Sequence, residues 1–124
     1  MKLVSVFVAV AVTGLALAAG SGSGATSAPR LIGAVGQHDA FKITLKNARG
    51  RLVRTLKPGT YTIVVRDASA IHNFELEREH GKSWDITDVD FVGTKTIRVK
   101  LTRGSYKAYC EPHEGTMVQR FIVR

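Results

Sequence analysis

The side chains best able to bind a metal or to react in this 124-residue chain belong to its single cysteine and to two residues that follow it. Cys110, His113 and Met117 form the pattern Cys-x2-His-x3-Met. One thiol cannot form an internal disulfide, so Cys110 serves packing, intermolecular pairing, catalysis or metal binding. A thiolate and an imidazole on one short loop, with a thioether just beyond, suit a soft transition metal.

Strands must position these residues, because period-two alternation dominates the chain after residue 40. Apolar and polar residues alternate over 41–46, 60–66, 94–101 and 105–110, as strands with one buried face require. Turn signals separate these segments, and no convincing amphipathic helix is visible. Seven or eight short strands joined by turns predict an all-β, antiparallel sandwich.

The phasing of two strands brings a second histidine towards the cysteine. His72 is in phase with Phe74, and Cys110 with Ala108, so both are predicted to point inward at a strand end beside a loop. Two imidazoles, one thiolate and one weak thioether are the ligand set of a blue-copper electron-transfer centre. The candidate metal ligands are therefore His72, Cys110, His113 and Met117.

Each candidate also has a less specific interpretation. A lone cysteine or methionine in a β domain usually fills the core, and an inward histidine is more often a hydrogen-bonded core residue. A Cys110–His113 nucleophile pair is disfavoured, because no oxyanion-hole loop or orienting third group is visible. We therefore expect no enzyme, and we interpret His38 and His80, which lie in predicted loops, as surface residues.

Residues 1–28 have the pattern of a secretory signal peptide. A basic start leads into an uncharged apolar run over 3–19, and small-residue cleavage candidates lie near Ala18, at the end of this run, and near Ala28. The alternative is a membrane anchor, for which the run is at the lower edge of the required length. We interpret 29–40 as an N-terminal linker and 41–124 as the domain, and expect an exported protein of the periplasm, cell envelope or exterior.

The chain is basic, with 18 Lys and Arg against 10 Asp and Glu and a net charge of +8. The cations are spaced singly along predicted strands, and the export signal argues against nucleic acid. We interpret the charge as a solubility feature, with partner steering second. Six of the ten acids fall within 75–90. We interpret this stretch as a solvated face. We interpret 78–93 as a long loop in which Trp84 is a core plug, that is, a side chain that fills the edge of the core.

The combination of His72-Asn73-Phe74 with Tyr109-Cys110-Glu111-Pro112-His113 and Met117 resembles the cupredoxins, in particular the small plastocyanin-like and amicyanin-like secreted domains. The resemblance covers 41–123. It implies a Greek-key sandwich that binds one copper ion, cycling between Cu(I) and Cu(II). The implied equatorial ligands are His72, Cys110 and His113, and the implied axial ligand is Met117.

The resemblance also assigns supporting roles. Asn73 would tie the first-ligand strand to the Cys110 loop, and its backbone N–H would donate to the thiolate. Pro112, which lacks an N–H, would limit further hydrogen bonding to the sulfur. Two features depart from the family pattern: Gln119 stands where such chains commonly carry glycine, and the spacing of three between His113 and Met117 differs from that of some members.

The expected function is that of a monomeric one-electron carrier which exchanges electrons with redox partner proteins through the exposed edge of His113. The alternative is a copper carrier or sequestration module that hands the metal to a partner without redox cycling. A third possibility is a metal-free interaction domain on the same scaffold. The first two share fold and ligands, so the sequence discriminates poorly between them.

Overall fold

The computed structural model describes residue 20 and residues 26–124. The signal peptide predicted for 1–28 therefore lies almost wholly outside the described residues. Within the described part of the chain, no helix is both long and apolar enough to cross a bilayer.

The described residues form two stacked β-sheets. The first has the strand order β2-β1-β4-β7 and the second β3-β9-β8-β5-β6. Two short 3-10 turns, Gln37–Asp39 and Glu111–His113, lie in connections. The strands are β1 Arg30–Val35, β2 Ile43–Asn47, β3 Thr55–Leu56, β4 Gly59–Asp67, β5 Phe74–Arg78, β6 Ser83–Thr87, β7 Gly93–Leu101, β8 Gly104–Tyr109 and β9 Val118–Val123.

The all-β sandwich prediction is confirmed, with two corrections to its details. The described residues contain nine strands rather than seven or eight. Both sheets are mixed rather than antiparallel, because β1 pairs in parallel with β4 and β3 pairs in parallel with β9.

Strand β1 occupies 30–35, which the sequence analysis assigned to a linker; that part of the linker assignment was wrong. The strand lies between β2 and β4, and Leu31 and Val35 are fully buried. Gly33 stands between them and weakens the strand pattern in the sequence. The packing nevertheless requires a glycine, because a Cβ at Gly33 would lie 2.8 Å from the Phe74 ring.

Two other segments differ from expectation. The predicted loop 78–93 contains β6, which pairs with β5. The segment 51–56, which lies between two of the predicted strands, forms a bridge at Leu52 and the two-residue β3. Trp84, predicted to be a core plug, is half-buried at the edge of the core, with the Lys82 ammonium 5.1 Å from its ring.

The core lies between the sheets and is built from the inward side chains of both. Leu45, Ile63 and Val65 from the first sheet meet Phe74 and Leu76 from the second, and all five are buried. Burying apolar surface at roughly 25 cal/mol per Å² is the main stabilising contribution. The core extends to one end of the sandwich, where Cys110 and Met117 belong to the same buried cluster.

Candidate metal centre

Three of the four candidate ligands converge at one end of the sandwich. Cys110 directly follows β8, His113 ends the second 3-10 turn, and His72 lies two residues before β5. The two histidine Nδ1 atoms are 3.1 Å apart. The Cys110 Sγ lies 3.7 Å from Nδ1 of His72 and 3.6 Å from Nδ1 of His113. These three residues form a cluster with metal-binding geometry.

The spacing of the three atoms fits a transition metal ion. The point equidistant from all three lies about 2.0 Å from each, close to the ~2.0–2.1 Å of metal–imidazole bonds and a little short of the ~2.3 Å typical of a thiolate. Two imidazoles and one thiolate are a donor set suited to copper.

The ligand loop is closed by its own backbone hydrogen bonds. The Cys110 N–H donates to the Met117 carbonyl at 3.0 Å, and the Met117 N–H donates to the His113 carbonyl at 2.8 Å. Pro112, in the short turn between the cysteine and the histidine, has no N–H to leave unpaired, so it suits the start of the turn. Met117 is fully buried, and its backbone lies against both Cys110 and His113.

Asn73 makes the two contacts that the family resemblance implies. Its backbone N–H donates to the Cys110 Sγ at 3.5 Å. Its side-chain Oδ1 accepts the Glu111 N–H at 2.8 Å, while Nδ2 donates to Glu75 at 3.0 Å. The segment before β5 is thereby tied to the ligand loop on both sides of the sulfur.

Burial controls the protonation of the sulfur. It raises the pKa of the Cys110 thiol, and the backbone N–H groups of Asn73 and His113 lower that pKa by a smaller amount. The thiol therefore keeps its proton at neutral pH unless a cation replaces it.

Phe41 is a residue of the site that the sequence analysis placed wrongly. It was expected to point into the core with Ile43, but it precedes β2 and is 57% exposed. Its ring contacts both imidazoles edge-on, with centroid distances of 4.9 Å to His72 and 4.8 Å to His113. Strand phasing could not reveal this contact because Phe41 lies outside the strand. The ring covers the two histidines from the solvent side.

A tight connection between β1 and β2 brings this cover into place. Gly36 has φ of 68°, and a Cβ there would lie 2.9 Å from Cδ2 of His72. Glycine tolerates both the left-handed backbone and the close approach. Asp39 also has positive φ, at 55°, and its carboxylate accepts a hydrogen bond from the Ser69 hydroxyl at 2.9 Å. His72 itself is fully buried, and its Nε2 has no hydrogen-bond partner among the described residues.

A buried carboxylate lies behind the site. Asp67 accepts hydrogen bonds from the Thr87 hydroxyl at 2.7 Å and the Ser69 N–H at 3.2 Å. The Thr87 hydroxyl oxygen in turn accepts the Phe74 N–H at 2.8 Å. Burial raises the pKa of Asp67, and the bonds from Thr87 and Ser69 and the charge of His72 partly offset that rise. The network joins the ends of β4, β5 and β6.

A second buried acid corrects the interpretation of 75–90 as a wholly solvated stretch. Glu75 is only 6% exposed and accepts a hydrogen bond from the Tyr109 hydroxyl at 2.7 Å. Burial raises the pKa of Glu75 and of Tyr109. Tyr109 precedes Cys110, so this bond fixes the end of β8 from which the ligand loop departs.

Gln119, which departs from the family pattern, has a clear structural role. Its side-chain Oε1 accepts the Leu45 N–H at 2.8 Å. Its Nε2 donates to the carbonyls of Leu45 at 2.9 Å and Val53 at 3.0 Å. The side chain thus joins β9, just after Met117, to the opposite sheet. His38 and His80 are exposed and lie outside the cluster.

Comparisons with known proteins support the fold. No protein-family model and no curated protein matches the sequence. A variant of rusticyanin superposes with a TM-score of 0.52 at 13% identity, over 77% of this chain and 76% of that chain. Reduced rusticyanin gives a TM-score of 0.50 at the same identity and coverage. Amicyanin from Paracoccus versutus gives 0.43 at 15% identity, over 81% of this chain and 83% of that one. The two rusticyanin structures show that the chain has the cupredoxin fold.

Proposed function

We propose that this chain is a type 1 copper protein that carries single electrons outside the cytoplasm. The observation that carries the proposal is the convergence of two Nδ1 atoms and one Sγ, 3.1 to 3.7 Å apart, at the end of a cupredoxin fold. His72, Cys110 and His113 would hold one copper ion as equatorial ligands, with Met117 as the weak axial ligand. Bound copper supplies a one-electron couple between Cu(I) and Cu(II).

The surroundings of the ligands favour electron transfer over catalysis. The loop that carries Cys110, His113 and Met117 is closed by backbone hydrogen bonds, and Asn73 holds it from the side. Ligands restrained in this way change position little when the charge of the site changes, which keeps the reorganisation small. A nucleophilic role for Cys110 is disfavoured because its side chain is fully buried and its thiol pKa is raised.

The surface of the site indicates where electrons would pass. His113 is the ligand with a partly exposed side chain, whereas His72 and Cys110 are fully buried. Electrons would enter and leave at the edge of His113, beside the exposed Phe41 ring. The apolar, small-residue leader supports export, and the partner would be another redox protein that contacts this end of the monomer.

Redox cycling separates this function from copper delivery. The purified protein, loaded with one equivalent of copper, is reduced with ascorbate and reoxidised with ferricyanide, and its metal is counted after each round. An electron carrier exchanges one electron per copper reversibly and keeps its metal in the presence of a soluble Cu(I) chelator. Rapid loss of Cu(I) to the chelator, with poor electron exchange, would instead identify a copper carrier. The double variant His38→Ala/His80→Ala serves as the control, because both residues lie outside the cluster.

A further inference from the structure

The outer face of the sheet β2-β1-β4-β7 is strongly basic. Alternate side chains on each strand point away from the core. The four strands contain one acidic residue, Asp67, and it is buried. The outward cations are all exposed: Arg30, Lys42 just before β2, Lys46, Arg66, Arg98 and Lys100.

Strand register places these cations close together. Thr62 pairs with Arg30 on one side and with Arg98 on the other, so these two lie about 10 Å apart across the sheet. Lys46 pairs with Ile32, one row further along. Such spacings are comparable with the Debye length of about 10 Å at 0.1 M salt, so the fields of the cations add. Among the described residues, none of these six takes part in an ion pair.

The chemistry of this face favours one class of partner. Its outward apolar residues are small or recessed, namely Ile32, Ala34 and Val64. It has no outward aromatic side chain on which a nucleic-acid base could stack, and no large apolar anchor of the kind that dominates protein interfaces. A flat array of cations fits a surface whose negative charge is spread out, as in a bilayer that contains anionic lipids.

The path of the chain leads to the same surface. Residues 27 and 28 lie beside Arg30, Val64 and Thr96 on this face, and the Pro29 carbonyl accepts the Thr62 N–H at 2.9 Å. Residues 27–29, which precede β1, therefore lie along the basic face. The signal peptide expected over 1–28 would export the chain across a membrane, and the mature domain would then meet anionic lipids at the surface of that membrane.

We propose that the outer face of the sheet β2-β1-β4-β7 docks the domain on the anionic phospholipid headgroups of a bilayer. Neither copper nor the proposed electron transfer is needed for this interaction. Gly36, which follows β1, contacts His72, so the metal centre lies beyond the end of the strands rather than on the docked face. The docked domain therefore leaves Phe41 and His113 open to partners in or on the same membrane.

Vesicle binding tests the proposal. The full chain, exported with its own leader and purified, is sedimented with vesicles of phosphatidylglycerol and phosphatidylcholine, and with phosphatidylcholine alone. We expect binding to the anionic vesicles only, and its loss at about 1 M salt, where the Debye length is about 3 Å. The triple variant Lys46→Gln/Arg98→Gln/Lys100→Gln should weaken partitioning at least about tenfold, since each cation near an anionic surface adds to the attraction.

A matched variant separates the face from the net charge. Arg54, Lys82 and Arg124 are exposed cations associated with the other sheet, and changing all three to glutamine removes the same charge. The proposal expects this control to bind anionic vesicles within about twofold of the wild type, with both triple variants retaining the wild-type circular dichroism spectrum. Equal loss in the two variants, or absence of wild-type binding, would overturn it. Binding to soluble polyglutamate but not to vesicles would also overturn it, in favour of an acidic protein partner.

Discussion

The candidate site depends on Cys110. The neighbours of this residue explain why a single cysteine suits the chain. The thiol is buried between two imidazoles and accepts a hydrogen bond from the Asn73 N–H. A free thiol in an oxidising compartment is prone to disulfide formation. Burial protects the thiol, ligation of a metal would protect it further, and a second cysteine would compete with that metal for it.

At this scale the sequence was most informative where residue type and strand phase agreed. His72 and Cys110 were predicted to point inward, and both are fully buried. Glu75 was predicted to face outward by the same alternation, yet it is buried, because Asn73 and Tyr109 supply its hydrogen bonds. Alternation identifies the faces of a strand, but it cannot tell which polar residues find buried partners.

Replacing Met117 with leucine should preserve the colour of the copper protein and raise its reduction potential. A thioether binds copper weakly but donates some electron density, so its removal stabilises Cu(I). The visible spectrum and a potentiometric titration measure the two effects. Loss of copper from Met117→Leu would show that the axial role is wrong.

Replacing Phe41 with alanine should keep one copper per protein and lower the reduction potential. The ring covers both histidines, and water admitted in its place stabilises the more highly charged Cu(II) state. Because Phe41 is 57% exposed, the free energy of unfolding should change by less than about 1 kcal/mol. Phe41→Leu serves as the control and should retain most of the wild-type potential. An unchanged potential in Phe41→Ala would contradict the covering role.

The elements that hold the site come from both sheets, and the connections between strands were the hardest part to predict. The chain between β1 and β2 contributes Phe41 through a turn with positive φ at Gly36 and Asp39. No periodicity marks such a turn. The sequence analysis missed strand β1 for a related reason. Gly33 leaves room for the Phe74 ring, but a glycine weakens the sequence pattern that indicates a strand.

Gln119 should prove a stabilising connection between the sheets. Changing it to alanine removes three hydrogen bonds to the backbone of Leu45 and Val53. At about 1 kcal/mol each, the metal-free protein should lose about 2 to 3 kcal/mol in its free energy of unfolding. Urea denaturation measures this loss. Gln37→Ala is the matched control, because Gln37 is exposed; equal effects of the two changes would contradict the role of Gln119.

The described part of the chain has a basic outer face on one sheet and two buried acids near the candidate metal centre. Cations cover the outer face of one sheet, whereas Glu75 and Asp67 lie inside. The sequence analysis correctly found the acidic stretch and the basic excess. It could not assign them to faces, because the parallel pairing of β1 with β4 that builds the basic face is a long-range contact.

Asp67 should make the metal-free protein less stable as the pH rises. Burial raises its folded-state pKa above the ordinary 3.8, so the folded state binds the proton more tightly than the unfolded state. Stability is therefore highest below the ordinary pKa and falls as the pH rises through the interval between the two values. The groups around the carboxyl are Thr87, Ser69 and His72, with Asp39 beyond Ser69.

Asp67→Asn should flatten this dependence and leave the contribution of Glu75, whose pKa is shifted in the same direction. Urea denaturation at several pH values above about 4 measures the effect. Asp90→Asn, at an exposed position, should behave like the wild type. A stability that rises with pH in the wild type, or an equal effect of both substitutions, would contradict the assignment.

The central claim is that His72, Cys110 and His113 bind copper together, and the visible spectrum after addition of Cu(II) tests it most directly. The wild-type protein should develop an intense blue or green thiolate-to-copper band that saturates at one equivalent. Cys110→Ser should lack the band, and His38→Ala should keep it. A wild-type protein that stays colourless would contradict the account, provided that alkylation after denaturation shows its thiol to be reduced.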